Sequence, residues 1–252
     1  MKSIVLIGTG NVATHLFKAL SNFQDFRIIQ VYNYNPESLA PFPNVPVTSN
    51  PEEIFKADIY LIAVKDDAIS SVSQTIKAGD GLVLHTSGSV TLEALEKHRR
   101  TGVFYPLQTF SKGKDVDFKN IPVCIEADNK DDLEILENLA REVSHKVYHI
   151  TSLQRKSLHL AAVFVSNFVN HLYTEGEQIC KQNDIPFEIL LPLIEETAHK
   201  VTQMSPADAQ TGPAKRNDKE VINAHLEQLN EQQQKIYSLL TTSIQKLHGK
   251  EL

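Results

Sequence analysis

Lys2-Ser3-Ile4-Val5-Leu6-Ile7-Gly8-Thr9-Gly10-Asn11-Val12-Ala13 decides the reading of this chain. Its first half is a short apolar run rich in β-branched residues, the composition of a buried strand. A glycine turn follows, and then a helical spacing of apolar residues through Leu16, Phe17 and Leu20. Strand, glycine turn and helix in that order are the setting of a dinucleotide-binding fingerprint. Gly8 permits the tight turn, Gly10 lets the backbone approach a pyrophosphate, and Ala13 fills the third small position, where helix meets strand. Asn11 and Val12 open the helix, where amides without an intrahelical acceptor and a partial positive charge favour a phosphate. The competing reading is a glycine turn that serves only the fold.

Beyond this stretch, apolar runs at 27–32, 59–64, 82–85, 102–105, 122–126 and 146–150 alternate with short helical patterns. Alternation of that kind predicts an α/β class, a Rossmann-like doubly wound and mostly parallel sheet over residues 1–150. Ligands bind such sheets beyond the carboxyl ends of the strands. Residues 8–11, Asn33, Val64, Lys65 and Asp66, Thr86, Ser87 and Gly88, and the stretch 105–108 therefore converge on one crevice. The fingerprint would place a carboxylate at the end of the second strand to bind the ribose 2′-OH of NAD. Asn33 and Asn35 stand there instead. With no charge to repel a 2′-phosphate, NADP is favoured; NAD is the other choice, because no Arg follows Asn33. Both asparagines could equally be turn residues, as Asn35-Pro36 implies. Asn50-Pro51-Glu52-Glu53 reads as a helix start, and Asp66 or Asp67 as the cap of the next helix.

After about residue 151 the period becomes wholly helical, which predicts a smaller all-α domain over 151–252. A long proline-free helix begins at Ser152, a second runs from Pro186 to about Met204, and a last one from about Lys219 to His248. On the first, His159, Ser166, Asn167 and Asn170 share one stripe at ~100° per residue. The rest of its circumference, Leu153, Leu160 and Val165 included, is apolar. The neutral polar stripe lines a site, or it makes helix–helix hydrogen bonds in a core. Arg216 either clamps a substrate carboxylate or phosphate or pairs with Asp218, and Asn217 with Glu220 forms a capping box for the last helix. The apolar stripe of that helix is intramolecular core, part of it available to a second subunit.

A net charge of −6 and the lack of a basic block argue against nucleic acid and anionic membranes as partners. No run reaches the ~18 apolar residues of a membrane span, and the chain enters its first strand with no signal-peptide pattern. Cys124 and Cys180 lie far apart and read as free thiols. A cytoplasmic protein is expected. No zinc spacing and no Ser-His-Asp arrangement is present, so no metal site is predicted.

Six segments in order carry a resemblance. They are Ile7-Gly8-Thr9-Gly10-Asn11-Val12-Ala13, Ala63-Val64-Lys65-Asp66-Asp67-Ala68-Ile69, His85-Thr86-Ser87-Gly88, Tyr105-Pro106-Leu107-Gln108-Thr109-Phe110, the stretch from His159 through Ser166-Asn167-Phe168, and Gly212-Pro213-Ala214-Lys215-Arg216-Asn217-Asp218. Together they resemble the Rossmann-like NADP oxidoreductases whose helical half is a domain of unknown function. Deazaflavin-dependent NADP oxidoreductase, pyrroline-5-carboxylate reductase and the 6-phosphogluconate and β-hydroxyacid dehydrogenases are similar more distantly. The resemblance implies a Rossmann-like half, an all-helical second half and a homodimer joined through the helices; the residues and the resemblance together are read as an NADP-linked reduction of C=O or C=N on a small, anionic substrate. The nicotinamide would lie near 64–66 and 85–88. His159 would donate the proton, histidine's ordinary pKa being near working pH; Asn167 would orient the substrate and Arg216 hold its anionic end. The β-hydroxyacid dehydrogenases use Lys and Asn on the corresponding helix, and here His159 and Asn167 stand in a different spacing. The alternative is a dinucleotide-binding sensor or partner protein without turnover.

Overall fold

A computed structural model describes residues 1–249 apart from Asn22, Gln24 and Pro43. The chain divides into two compact units, Met1–Ser166 and Asn167–Leu252.

Among the described residues the first unit holds an eight-stranded sheet. Its strands are β1 (Lys2–Ile7), β2 (Phe26–Tyr32), β3 (Val47–Thr48), β4 (Ile59–Ile62), β5 (Leu82–His85), β6 (Thr101–Pro106), β7 (Val123–Ala127) and β8 (Val147–His149), in the order β3-β2-β1-β4-β5-β6-β7-β8. Neighbours run parallel except β6 and β7. A parallel pair needs a crossover, usually helical. The chain between β6 and β7 instead leaves and returns at one end, with the Leu107 amide donating to the Pro122 carbonyl at 2.8 Å. Strand β3 is the element the sequence conceals, two residues beside Pro46 that pair with Val31 and Tyr32.

Successive side chains of a strand point to opposite faces, and both faces of β1 are covered. Ile4 and Leu6 pack under Leu16 and Leu20 of α1 (Asn11–Leu20), while Val5 and Ile7 pack with Ile69 of α2 (Ile69–Thr75). Helix α3 (Lys130–Val143) adds Leu136, Leu139 and Val143 to the first face. That double cover is why the strands read as unbroken apolar runs. The stretch at Asn50 forms only a 3₁₀ turn, Pro51–Glu53, and Asp66–Ala68 is another.

Helix α4 (Ser152–Ala162) belongs to the first unit, so the boundary falls later than the change of sequence period. A wide π turn over Val163–Phe168 follows it, and its i→i+5 bonding breaks the 100° step on which the polar stripe rests. In the second unit stand α5 (Val169–Gln182), α6 (Leu191–Lys200), α7 (Pro206–Ala209), α8 (Pro213–Arg216), α9 (Lys219–Glu227) and α10 (Glu231–Leu247). The last helix is therefore two helices, separated where Asn230 and Gln233 make a reciprocal capping box. Asn217 does not cap a helix start as the spacing predicts. At φ +57 it ends α8, a left-handed position that Asn tolerates, and its side chain accepts from Gln245 Nε2 at 2.9 Å. Asp218 caps α9. The apolar circumference of the long helix is not core either: Leu153 is 76% and Val165 75% exposed. Among the described residues no helix is long and apolar enough to cross a membrane.

Candidate functional site

Gly8 and Gly10 are glycine for different reasons. Gly8 has φ +112, and a Cβ there would lie 2.2 Å from the Ala63 carbonyl oxygen, so the fold itself demands it. Gly10 sits at φ −70, and a Cβ would meet no protein atom within 4 Å. Among the described residues, no contact beyond its chain neighbours requires Gly10 to lack a side chain. It N-caps α1 without a side-chain hydrogen bond, which leaves the helix's first amides without a side-chain acceptor beside open space. A pyrophosphate fits that cradle in charge and in room.

Around it opens a cleft of about 620 Å³ that gathers Gly8, Gly10, Asn11, Val12, Asn33, Val64 and Lys65. Tyr34, Gln108 and Phe110 complete its wall. Asn33 and Asn35 separate in role. Asn35 is the turn residue, its side chain accepting from the Glu37 amide at 3.1 Å. Asn33 Nδ2 reaches across to Thr9 Oγ1 at 2.7 Å and to Ser38 Oγ. The end of β2 thus meets the glycine turn through neutral groups, with no carboxylate among the described residues of the cleft wall. Asn11 Nδ2 donates to the Phe110 carbonyl at 2.9 Å and so holds that wall to the start of α1.

Asp66, Thr86, Ser87 and Gly88 do not line this cleft. Ser87 is occupied structurally, its hydroxyl accepting from the Ser89 and Val90 amides, both at 3.0 Å. Thr86 donates to the Ile62 carbonyl through its amide at 3.1 Å. His85 is fully buried. Burial and the nearby Arg155 push it down to about 3, so its ring is neutral.

Arg155 is the largest fully buried side chain and clasps this corner. Its Nη1 donates to the Ser87 and Val90 carbonyls at 2.9 and 2.6 Å, and its Nη2 to Glu126 Oε2 and Ser152 Oγ, both at 3.0 Å. Glu126 in turn accepts from the Ser152 amide at 2.7 Å. The first turn of α4 is thereby fixed against the loop after β5. One turn further on, at i+4, His159 lands beside the same loop. Its Nδ1 lies 3.0 Å from Tyr105 Oη. Gly88 fills the joint, where an added Cβ would meet His159 Nδ1 at 2.6 Å and Tyr105 Cζ at 2.8 Å. Tyr105 is pushed up to about 12, by burial first and then by Cys124 and Asp66, against Arg155.

Asn167 and Arg216 belong to the second unit. Asp218 is taken by its capping role, and Arg216 makes no ion pair among the described residues.

The chain is 44% identical to a Bacteroides fragilis protein described as a candidate NADP oxidoreductase, over 99% of this chain and 98% of that one, with a TM-score of 0.90. The chain belongs to this NADP oxidoreductase family. Residues 3–86 match the model of the coenzyme F420-dependent NADP oxidoreductases, and residues 121–244 match a domain of unknown function. Two distant solved structures share the fold. A Plasmodium falciparum pyrroline carboxylate reductase with NADP bound has 14% identity, 98% coverage of each chain and a TM-score of 0.58. An imine reductase variant from Myxococcus stipitatus in complex with NAD+ has 13% identity, coverage of 99% of this chain and 96% of that one, and a TM-score of 0.62. No curated protein matches the chain.

Sequence reasoning missed Arg155 and Glu126, and it placed Tyr105 at the crevice without its contact to His159. For Arg155 a signal existed: it stands four residues before His159 on one helical face. Tyr105 ends a strand before Pro106, a place where a side chain reaches the carboxyl edge of the sheet. Glu126 gave none, since its partner is far away in sequence. Arg155→Met should cost about 3–5 kcal/mol, because it strands the half-buried Glu126 carboxylate and two buried carbonyls. Urea unfolding of the variant checks this, and a loss under about 1 kcal/mol, the worth of a surface pair, would reject the clasp.

Proposed function

We propose that this oxidoreductase uses NADPH to reduce a C=O or C=N group on a small, anionic substrate. The observation that carries the reading is Gly10, a glycine with open space where its side chain would be, at an uncapped helix start. The α1 amides hold the pyrophosphate, and Asn33 with Thr9 and Ser38 meets the adenosine end without repelling a 2′-phosphate. NADPH, when bound, supplies the hydride. Val64, Lys65 and Asp66 and the loop of Thr86, Ser87 and Gly88 border the nicotinamide end. His159 donates a proton to the oxygen or nitrogen of the reduced group, and a positioned acid contributes about 10²–10⁴ in rate. In the second unit Asn167 orients the substrate and the exposed guanidinium of Arg216 takes its carboxylate or phosphate. The relatives named for pyrroline carboxylate and imine reduction support a C=N substrate.

A thermal-shift panel of NAD, NADP and their reduced forms tests the cofactor. A ligand at ~100 times its Kd should add about 2.7 kcal/mol to stability, with NADP and NADPH giving the larger shifts. No shift from any of the four would remove the reading. Turnover with keto acids and cyclic imines separates an enzyme from a dinucleotide-binding sensor.

A homodimer through the helices is part of the proposal. Leu153 and Val165 in the first unit, and Ile189, Leu193, Leu239 and Leu247 in the second, are more than 60% exposed. Exposed apolar side chains of this size are what a subunit interface would cover. Light scattering at micromolar concentration should return twice the 28.2 kDa chain mass, and a monomer would reject the dimer.

A further inference from the structure

His159 and Tyr105 meet through one hydrogen bond, Nδ1 to Oη at 3.0 Å. The two rings lie edge to face with centroids 6.0 Å apart, and Gly88 packs against both. The pair therefore has little freedom to rearrange. How the hydrogens are shared follows from donor and acceptor counting. A neutral imidazole carries one N–H. If it were on Nδ1 it would donate to Tyr105, and the phenol hydrogen would need another acceptor. Tyr105 is 8% exposed and its hydroxyl has no other partner among the described residues. Folded proteins avoid a buried donor left in that state. With the hydrogen on Nε2, the phenol donates to Nδ1 and both groups are satisfied. Nε2 makes no hydrogen bond among the described residues, so its N–H is available.

We propose that Tyr105 is a positioning residue for His159, its hydroxyl donating to Nδ1 so that the imidazole carries its proton on Nε2 and presents that N–H to the atom being reduced; as that proton leaves, the phenol hydrogen passes to Nδ1, and the tyrosinate left behind, far less basic than the anion it neutralises, takes a proton back from water. The proposal rests on the reading of His159 as the proton donor. It gives that reading a direction: Nε2 faces the substrate and Nδ1 faces the protein. Asp66 and Arg155 are the charged groups that act on Tyr105, in opposite senses, and with Tyr105 pushed up to about 12 the resting protein keeps the phenol hydrogen on Tyr105.

The test needs no substrate. Full-length protein carrying ¹⁵N-histidine is followed by long-range ¹H–¹⁵N NMR at alkaline pH, where imidazoles are neutral. His159 Nδ1 should be unprotonated and displaced by an accepted hydrogen bond, with the proton on Nε2. Tyr105→Phe should move Nδ1 to the position of a free acceptor nitrogen. Site-specific 3-fluorotyrosine at 105, isosteric and more acidic, should move it the other way, and it carries the test if the Phe variant folds poorly. A protonated Nδ1 in the wild type overturns the proposal, as does an Nδ1 signal unmoved in either folded variant. With an identified substrate, Tyr105→Phe should lower kcat about tenfold, equivalent to about 1.4 kcal/mol, at unchanged KM for NADPH; unchanged kcat would also overturn it. Normal turnover by His159→Gln, with the NMR shifts as expected, would locate the failure in the proton-donor reading instead.

Discussion

Gly10→Val abolishes dinucleotide binding and leaves the fold standing. The backbone at Gly10 is extended, with φ −70, and no protein atom lies within 4 Å of a Cβ placed there. A valine is therefore tolerated by the protein and projects into the space beside the α1 amides where a pyrophosphate would lie. The expected loss is at least about 100-fold in Kd, or about 2.8 kcal/mol. NADPH fluorescence titration measures it, with the free variant folded and its melting temperature lowered only slightly, as replacing a glycine N-cap implies. The neighbouring glycine behaves oppositely. Gly8→Ala pushes a methyl group to 2.2 Å from the Ala63 carbonyl at a positive φ, and the variant should fail to fold. A folded Gly10→Val that binds NADPH like the wild type would end the dinucleotide reading.

His159→Gln should lower turnover by about 10²–10⁴, with NADPH affinity and melting temperature close to wild type. His159 is only partly buried, and among the described residues it makes one hydrogen bond, to Tyr105. A glutamine can supply an amide to that hydroxyl. What it cannot supply is a proton at working pH. A histidine that serves packing alone predicts the reverse: a lower melting temperature and normal activity per folded molecule. Measuring affinity, melting and turnover on one sample distinguishes the two.

The sheet was legible because its strands are buried on both faces. Runs such as Ile59-Tyr60-Leu61-Ile62 and Leu82-Val83-Leu84 leave few alternatives at that length, and the glycine turn fixed where the first of them ends. Legibility failed where tertiary context overrides local signals. Strand β3 has two residues, too few for any period to show. Asn50-Pro51-Glu52-Glu53 carries a helix-start signature, yet the chain turns out after Glu53, so propensity ends in one 3₁₀ turn. Asn217 ends α8 rather than opening a helix, because Asn serves both at an N-cap and in a left-handed C-terminal position. The cleft's lining was largely readable, since seven of its residues sit at strand ends or at the start of α1, which topology brings together. The clasp was not. Arg155 reaches residues 65 and 68 positions away, and no local pattern encodes a contact of that span.

That clasp also bears on how such a protein can be taken apart or reassembled over evolutionary time. The natural place to cut is suggested by the switch from strand to helix near residue 151. Yet a sheet half severed there loses Arg155, and with it the partner of the Ser87 and Val90 carbonyls and the counter-ion of Glu126. The unit that can be passed intact from one protein to another, or grafted onto a different helical partner, runs on through α4. Recombination breakpoints in the lineage should therefore fall beyond Ala162, inside the helical region rather than at its edge.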